Sequence, residues 1–461
     1  MKEKITEAPD REAGMAEIQA PTGPKEGRKI EPGKGKAEEG EPGKAKQKLF
    51  RRDFTLVVIG QIISLFGNAA IRFALPLYLL NLTGSSALYG VVTACAFIPS
   101  ILLSPIGGIV ADRVNKRNIM VILDFFTAGV ILTFLILMDS VNLVALLTAV
   151  LMLLYGIAGA YQPSVQASIP ALTDEEHFMA ANSVINIVGS FAGLTGPVLG
   201  GVLYSAFGLK PVLWVCTACF TLSAVMEIFI RIPFEKQASR GGIWKTVRAD
   251  FGESIRFIWK EKPVIGKTLL AVCGINLFLS AMIVVALPYL ITEVLDFEAA
   301  RANRLCGYAE GAMAAGGLTG GICAGIFSRK LSLRNAGNLI AACAAWVFPM
   351  GGALVLIPSG TADYLVITVC CFAIMLFSAI FSVQMMAFVQ RETPGKLIGK
   401  VIAVIMTVSM CAQPFGNALY GVFFEVCGGF EYVPVLVSGA VSLVISMGTR
   451  KVFRNYAREL E

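Results

Sequence analysis

The sequence predicts an all-α membrane protein of twelve transmembrane helices arranged as two six-helix pseudo-repeats. Three observations carry that expectation. Apolar runs recur from Phe54 to Phe453, each near the roughly 20 helical residues that cross a hydrocarbon core. Basic residues gather in alternate connections. Short motifs reappear half a chain apart. Of 461 residues, 56% are hydrophobic and 15% charged, whereas soluble domains carry about 25% charged residues.

The first 50 residues stand apart. They are rich in Lys, Glu, Gly and Pro, cannot bury enough apolar surface to offset their ordering entropy, and are predicted to be a disordered cytoplasmic tail. They also lack the apolar stretch of a signal peptide. The apolar spans follow at 54–81, 87–111, 118–138, 142–168, 180–206 and 211–231, then 266–292, 306–328, 336–357, 363–389, 399–424 and 431–450. In lipid each must satisfy its backbone internally, so each is predicted helical. The expected organisation is a bundle at 51–232, a cytoplasmic linker at 233–264, a second bundle at 265–452 and a short tail at 453–461. Within the linker, Val247–Trp259 mixes apolar residues with charges. It reads as an amphipathic helix on the membrane face or as a plain linker helix.

The basic residues orient the chain. Arg113, Lys116, Arg117, Arg329, Lys330, Arg334, Arg391, Lys396, Lys400 and a run of seven in the central loop share one side; Lys210, Arg301 and Arg304 fall on the other. The positive-inside rule places both termini in the cytoplasm of a multi-pass plasma-membrane protein.

Composition excludes several chemistries. The eleven cysteines are scattered without a metal-binding spacing, and His177 is the single histidine. No Gly-rich phosphate loop ends in GK[ST]. No metal, cofactor or nucleic-acid partner is expected, and a lipid-modifying enzyme is disfavoured for want of a catalytic constellation.

Two echoes mark the repeat. Ala74-Leu75-Pro76 recurs as Ala286-Leu287-Pro288, and Gly108-Ile109 through Arg117-Asn118 recurs as Gly325-Ile326 through Arg334-Asn335. Parallel repeats of this kind place a substrate site near the midplane between halves that rock about it.

The connection Gly107-Gly108-Ile109-Val110-Ala111-Asp112-Arg113-Val114-Asn115-Lys116-Arg117 resembles the signature loop of the major facilitator superfamily. The resemblance implies a gate in which Asp112 faces the start of the eleventh helix near Gly399, with Gly108, Arg113, Lys116 and Arg117 at the same rim. Gln61, Ser64 and Gly67 in span one, Gln162-Pro163, Pro170 and Gln390 to Val401 resemble the macrolide-efflux and enterobactin-exporter branch. Gly196-Pro197-Val198-Leu199-Gly200-Gly201, after Gly189 and Gly193, resembles the antiporter motif of proton-coupled exporters.

Ionisable groups inside apolar spans are costly and are functional candidates. Asn68 and Arg72 lie one turn apart on the first helix and are expected to face the cleft; Arg72 could instead pair with Glu310. Asp124 and Glu227 could snorkel to the inner surface. If a proton is coupled, Glu310 and Asp124 are the candidate carriers. Gln61, Gln162, Asn186, Asn276, Gln384, Gln413 and Asn417 are uncharged cavity candidates, or bonds between helices. The expectation is a monomeric secondary transporter that exports a hydrophobic or amphipathic small molecule in exchange for a coupling proton. Nutrient uptake on the same fold is the alternative.

Overall fold

The computed structural model describes residues 51–174, 177–232, 251–327, 336–357, 359–394 and 397–460. Within these, regular structure is helical throughout. The crossings are α1 (Arg52–Thr83), α2 (Ser86–Arg113), α3 (Lys116–Leu137), α4 (Leu143–Leu172), α5 (Phe178–Phe207) and α6 (Leu209–Ile228). The second set is α7 (Pro263–Val294), α8 (Ala299–Ile326), α9 (Ala336–Leu356), α10 (Gly360–Glu392), α11 (Ile398–Val426) and α12 (Tyr432–Leu460). Eleven of these are long and apolar enough to span a bilayer. The remaining one, α8, has 28 residues, is rich in Gly and Ala, and carries Arg301, Arg304 and Glu310. Ile136, Phe415, Val444 and Leu356 are all more than 60% exposed, as lipid-facing side chains of spanning helices are.

Local chemistry sets the helix ends. Gly84 caps α1 at φ 63°, a left-handed conformation that glycine adopts freely, and its N–H donates to the Leu80 carbonyl. Ser85, Asn115 and Asn142 then cap α2, α3 and α4, their side-chain oxygens accepting from Leu88, Arg117 and Ala145 N–H groups. Connections from odd to even helices therefore share one end of the bundle, here the Gly84 end; the opposite one is the Asn115 end.

Packing repeats the sequence symmetry. In the first half α1 packs on α5 and α6, α2 on α4, and α3 on α4 and α6; in the second, α7 packs on α11 and α12, α8 on α10, and α9 on α10 and α12. Pro76 of α1 and Pro288 of α7, from the echoed triplets, both reach the central cavity. The halves meet through α2 against α11 and α5 against α8. Glycines make these approaches possible. A Cβ on Gly90 would lie 2.8 Å from Gly421 Cα and closer still to the Asn417 carbonyl oxygen; one on Gly201 would lie 3.1 Å from Gly307 Cα. Between lipid-embedded helices, such close backbone approach is a main source of attraction.

The tail at 453–461 continues α12 as helix to Leu460, because Phe453 is fully buried with its ring 5.5 Å from that of Phe388. In the linker, residues 251–261 are helical; Phe257 and Ile258 are buried, while Phe251 and Trp259 are exposed. Glu253 pairs with Lys400 at 2.8 Å and Lys262 with Glu392 at 2.9 Å, which ties this segment to α10 and α11. The part of the expected amphipathic helix before Phe251 lies outside the described residues.

Candidate functional site

A cavity of about 410 Å³ lies between the halves, walled by α1, α2, α4, α5, α7 and α8. Its position follows from small residues and prolines. Gly189, Ala192 and Gly193 of α5 remove bulk, and Pro76 and Pro288, inside α1 and α7, stand on its wall. Its lining is chiefly apolar and aromatic, with Asn68, Arg72, Thr93 and Glu310 as polar groups. That mixture suits organic molecules with a large apolar body and few polar handles.

Arg72 and Glu310 both face this cavity, as the sequence suggests, but they form no ion pair. The Arg72 guanidinium instead stacks 3.5 Å above the centre of the Tyr155 ring, which in turn meets Phe97 edge-on at 5.1 Å. A cation over a ring face in a dry site gains up to about 2 kcal/mol. The stack holds a positive charge at the cavity wall and leaves Glu310 on the opposite half free of that partner. Tyr89 bridges the halves here, its Oη donating to the Val284 carbonyl at 3.5 Å.

A second, small cavity of about 90 Å³ adjoins the first inside the α1–α6 half, and Leu65, Asn68 and Arg72 line both. Gln162 lines it as well, beside Asp124 and Tyr161. The expected snorkelling does not occur: Asp124 is 2% exposed and Glu227 fully buried. Both turn inward because polar partners wait there. Tyr161 Oη donates to Glu227 Oε1 at 2.6 Å, Gln61 Nε2 donates to Tyr161 Oη at 2.7 Å, and Ser64 Oγ donates to Asp124 Oδ1 at 3.2 Å.

A third cavity, about 420 Å³, lies within the other half between α7, α10 and α11; Met385, Met386, Met406 and Met410 give it a soft apolar lining. Asn276 lies on its wall, its Nδ2 donating to the Ser409 carbonyl at 2.9 Å. Gln413 is half-buried on α11 and lines none of these cavities. Gln61 is buried and bonds Tyr161 of α4, an interhelical contact, whereas the side-chain amides of Gln384 and Asn417 are buried without a hydrogen-bond partner among the described residues.

The antiporter-like motif acts as a packing hub. Gly196 faces Ala69 and Gly200 faces Ala70 on α1, while Gly201 and the Pro197 carbonyl meet Gly307 on α8. The gating motif falls mostly outside the described side chains: α2 runs through Gly108, Asp112 and Arg113, but only Lys116 and Arg117 have described side chains, both half-buried at the start of α3. The echo at residues 328–335 lies outside the described residues too.

The Gly84 end is closed by polar contacts that sequence reading missed. Asn81 Nδ2 donates to Asn303 Oδ1 at 2.7 Å and to Tyr204 Oη at 3.2 Å. Glu425 Oε2 of α11 accepts from Ser85 Oγ at 3.0 Å, the Ala87 N–H at 3.2 Å and Ser86 Oγ at 3.3 Å. This carboxylate thus sits on the N-terminus of α2, where the helix dipole is positive. Asn81 and Glu425 stand at span ends, where polar residues ordinarily face water; only the paired geometry reveals them. At the Asn115 end, the described ion pairs stay within one half: Arg51 with Asp174, Arg391 with Glu392, and the two pairs of the linker segment.

Residues 57–417 match the Major Facilitator Superfamily. Macrolide efflux protein A of Streptococcus pyogenes is 22% identical over 400 residues, covering 86% of this chain and 94% of that protein. Multidrug efflux pump Tap of Mycolicibacterium fortuitum is also 22% identical, over 406 residues, covering 86% and 96%. The crystal structure of a bacterial homologue of the iron transporter ferroportin in its inward-facing state superposes with a TM-score of 0.65 at 17% identity, covering 86% of this chain and 98% of that one. With two helical halves around a shared cavity and a match across most of its length, the chain belongs to the Major Facilitator Superfamily of membrane transporters.

Proposed function

We propose that this transporter exports a hydrophobic or amphipathic small molecule from the cytoplasm, in exchange for a proton, by alternating access. The observation that carries this reading is the central cavity: apolar and aromatic walls, one cation seated on Tyr155, and one carboxylate on the facing half. Relatives named for macrolide and multidrug efflux over nearly their whole length support the direction. With the basic connections inside, the Asn115 end faces the cytoplasm and the Gly84 end faces outward. The contacts at the Gly84 end then support an inward-facing reading of this state, ready to load from inside. Asp112 near Gly399 is the corresponding latch for the outward-facing state. A proton crossing a 100 mV potential supplies about 2.3 kcal/mol, enough to support a gradient of roughly fiftyfold.

The test is retention of ethidium and erythromycin by cells making the protein, with and without a protonophore. Lower retention that the protonophore restores supports proton-driven export. Retention equal to that of cells lacking the protein, or higher, counts against it and favours uptake.

A further inference from the structure

Below the central cavity, the α1–α6 half encloses a set of oxygen acceptors that lacks a donor. Gln61 Oε1, Asp124 Oδ2 and Glu227 Oε2 are buried and have no hydrogen-bond partner. Their residues are 0%, 2% and 0% exposed. The remaining oxygen of each carboxyl group is already bonded, Glu227 Oε1 by Tyr161 and Asp124 Oδ1 by Ser64. Among the described residues no Lys or Arg pairs with either carboxylate. Two buried ionised carboxylates without a counter-cation are very costly. One bound proton removes a charge and converts an acceptor into the missing donor.

The groups facing the pair from each packed helix are few. From α1 come Gln61 and Ser64, with Asn68 and Arg72 further along; from α4, Tyr161 and Gln162; from α3, Thr127; from α6, Ser223, whose Oγ donates to the Gly60 carbonyl at 3.1 Å. Arg72 is the one cation among these, and it is held over Tyr155. The small cavity places Asp124 and Tyr161 on the wall of a chamber that shares Asn68 and Arg72 with the central cavity. The shared wall brings Asp124 next to the substrate space, with Glu227 bonded behind Tyr161.

We propose that Asp124, held by Ser64, and Glu227, held by the Gln61–Tyr161 chain, form the site that takes up and releases the coupling proton, apart from the central cavity where Glu310 stands. The site rests on the export reading for its role but not for its existence. In loading, a hydronium ion gives its proton to one carboxylate oxygen and leaves as water; release reverses the step. Arg72 sits on the shared wall, so substrate and proton sense one another through a single side chain. Tyr161 is a positioning residue that orients Glu227.

Two measurements on the full-length protein test this. The first is acid-minus-base infrared difference spectroscopy in lipid nanodiscs. The wild type is expected to gain a carboxylic-acid carbonyl band that Asp124→Asn and Glu227→Gln each reduce by about half or more, since the pair shares its proton. Tyr161→Phe is expected to shift the band without removing it. A band unchanged in both carboxylate variants, or one abolished by sodium ions, overturns the proposal; the second result would mark a sodium site. The second measurement uses proteoliposomes and ethidium. In both variants, near-isosteric with the native residues, pH-driven accumulation of ethidium is expected to be lost, the ratio falling to about one. Accumulation equal to wild type overturns the proposal. If the wild-type protein moves no ethidium at all, the export reading fails while the infrared result still decides the proton site.

Discussion

Adding one methyl group at the α2–α11 contact should open the Gly84 end. In Gly90→Ala the new Cβ would meet the Asn417 carbonyl oxygen and lie 2.8 Å from Gly421 Cα, and both neighbours are backbone atoms that cannot rotate away. Ordinary carbon contacts need about 3.5–4.0 Å, so the helices must part by the order of 1 Å. Overpacking of this kind costs about 1–3 kcal/mol. The cost falls on the closed arrangement alone, because once the halves separate the methyl group meets nothing. The ratio of open to closed at this end should therefore rise about 5–150-fold. Double electron–electron resonance can read this, with spin-labelled unnatural amino acids at Leu82 and Phe430, which are 54% and 61% exposed on opposite halves of that end. The longer-distance population should grow in Gly90→Ala and in Gly421→Ala, whose Cβ would lie 2.7 Å from the Ser86 carbonyl oxygen. Gly352→Ala, with no atom near its would-be Cβ, should leave the distances unchanged. An unaltered distribution in both α2 and α11 variants would refute the packing argument.

Other perturbations follow from the same contacts. Glu425→Gln removes a charge from the α2 N-terminus, and for this exposed group the loss of about 0.3–1 kcal/mol should move the same label pair in the same direction, less so at high salt. Asp112→Asn should impair drug export in cells while leaving the protein folded in the membrane; normal export would remove its gating role. Tyr155→Leu takes away the ring under Arg72 and should lower thermal stability in detergent by about 0.5–2 kcal/mol, whereas Phe97→Leu should cost less.

The fold was legible because lipid imposes simple rules. A spanning helix must be about 20 residues long and apolar, and charge outside it obeys a sidedness bias. Even α8, the least apolar span, was readable from its length and its place in the repeat. The site was legible only in part. Arg72 and Asn68 were found because polar residues on the first helix have few places to go. Their partner was not: Tyr155 looks like any aromatic in an apolar run, and a cation over a ring leaves no charge pattern to read. Glu227 was assigned to the surface because its distance from the span end permits snorkelling. Whether a side chain turns out or in depends on what waits inside, and Tyr161 and Gln61 lie 66 and 166 residues away in the chain. The glycines were noticed as motifs, yet their pairing, Gly90 with Gly421 and Gly201 with Gly307, is a property of how two halves meet.

Transport in everted membrane vesicles bears most directly on the claim of outward, proton-driven movement. With the vesicle interior made acid, ethidium should accumulate inside in the presence of the protein and leak out when a protonophore collapses the gradient. Accumulation that needs no gradient, or an acid interior that drives ethidium out of preloaded vesicles, would contradict it.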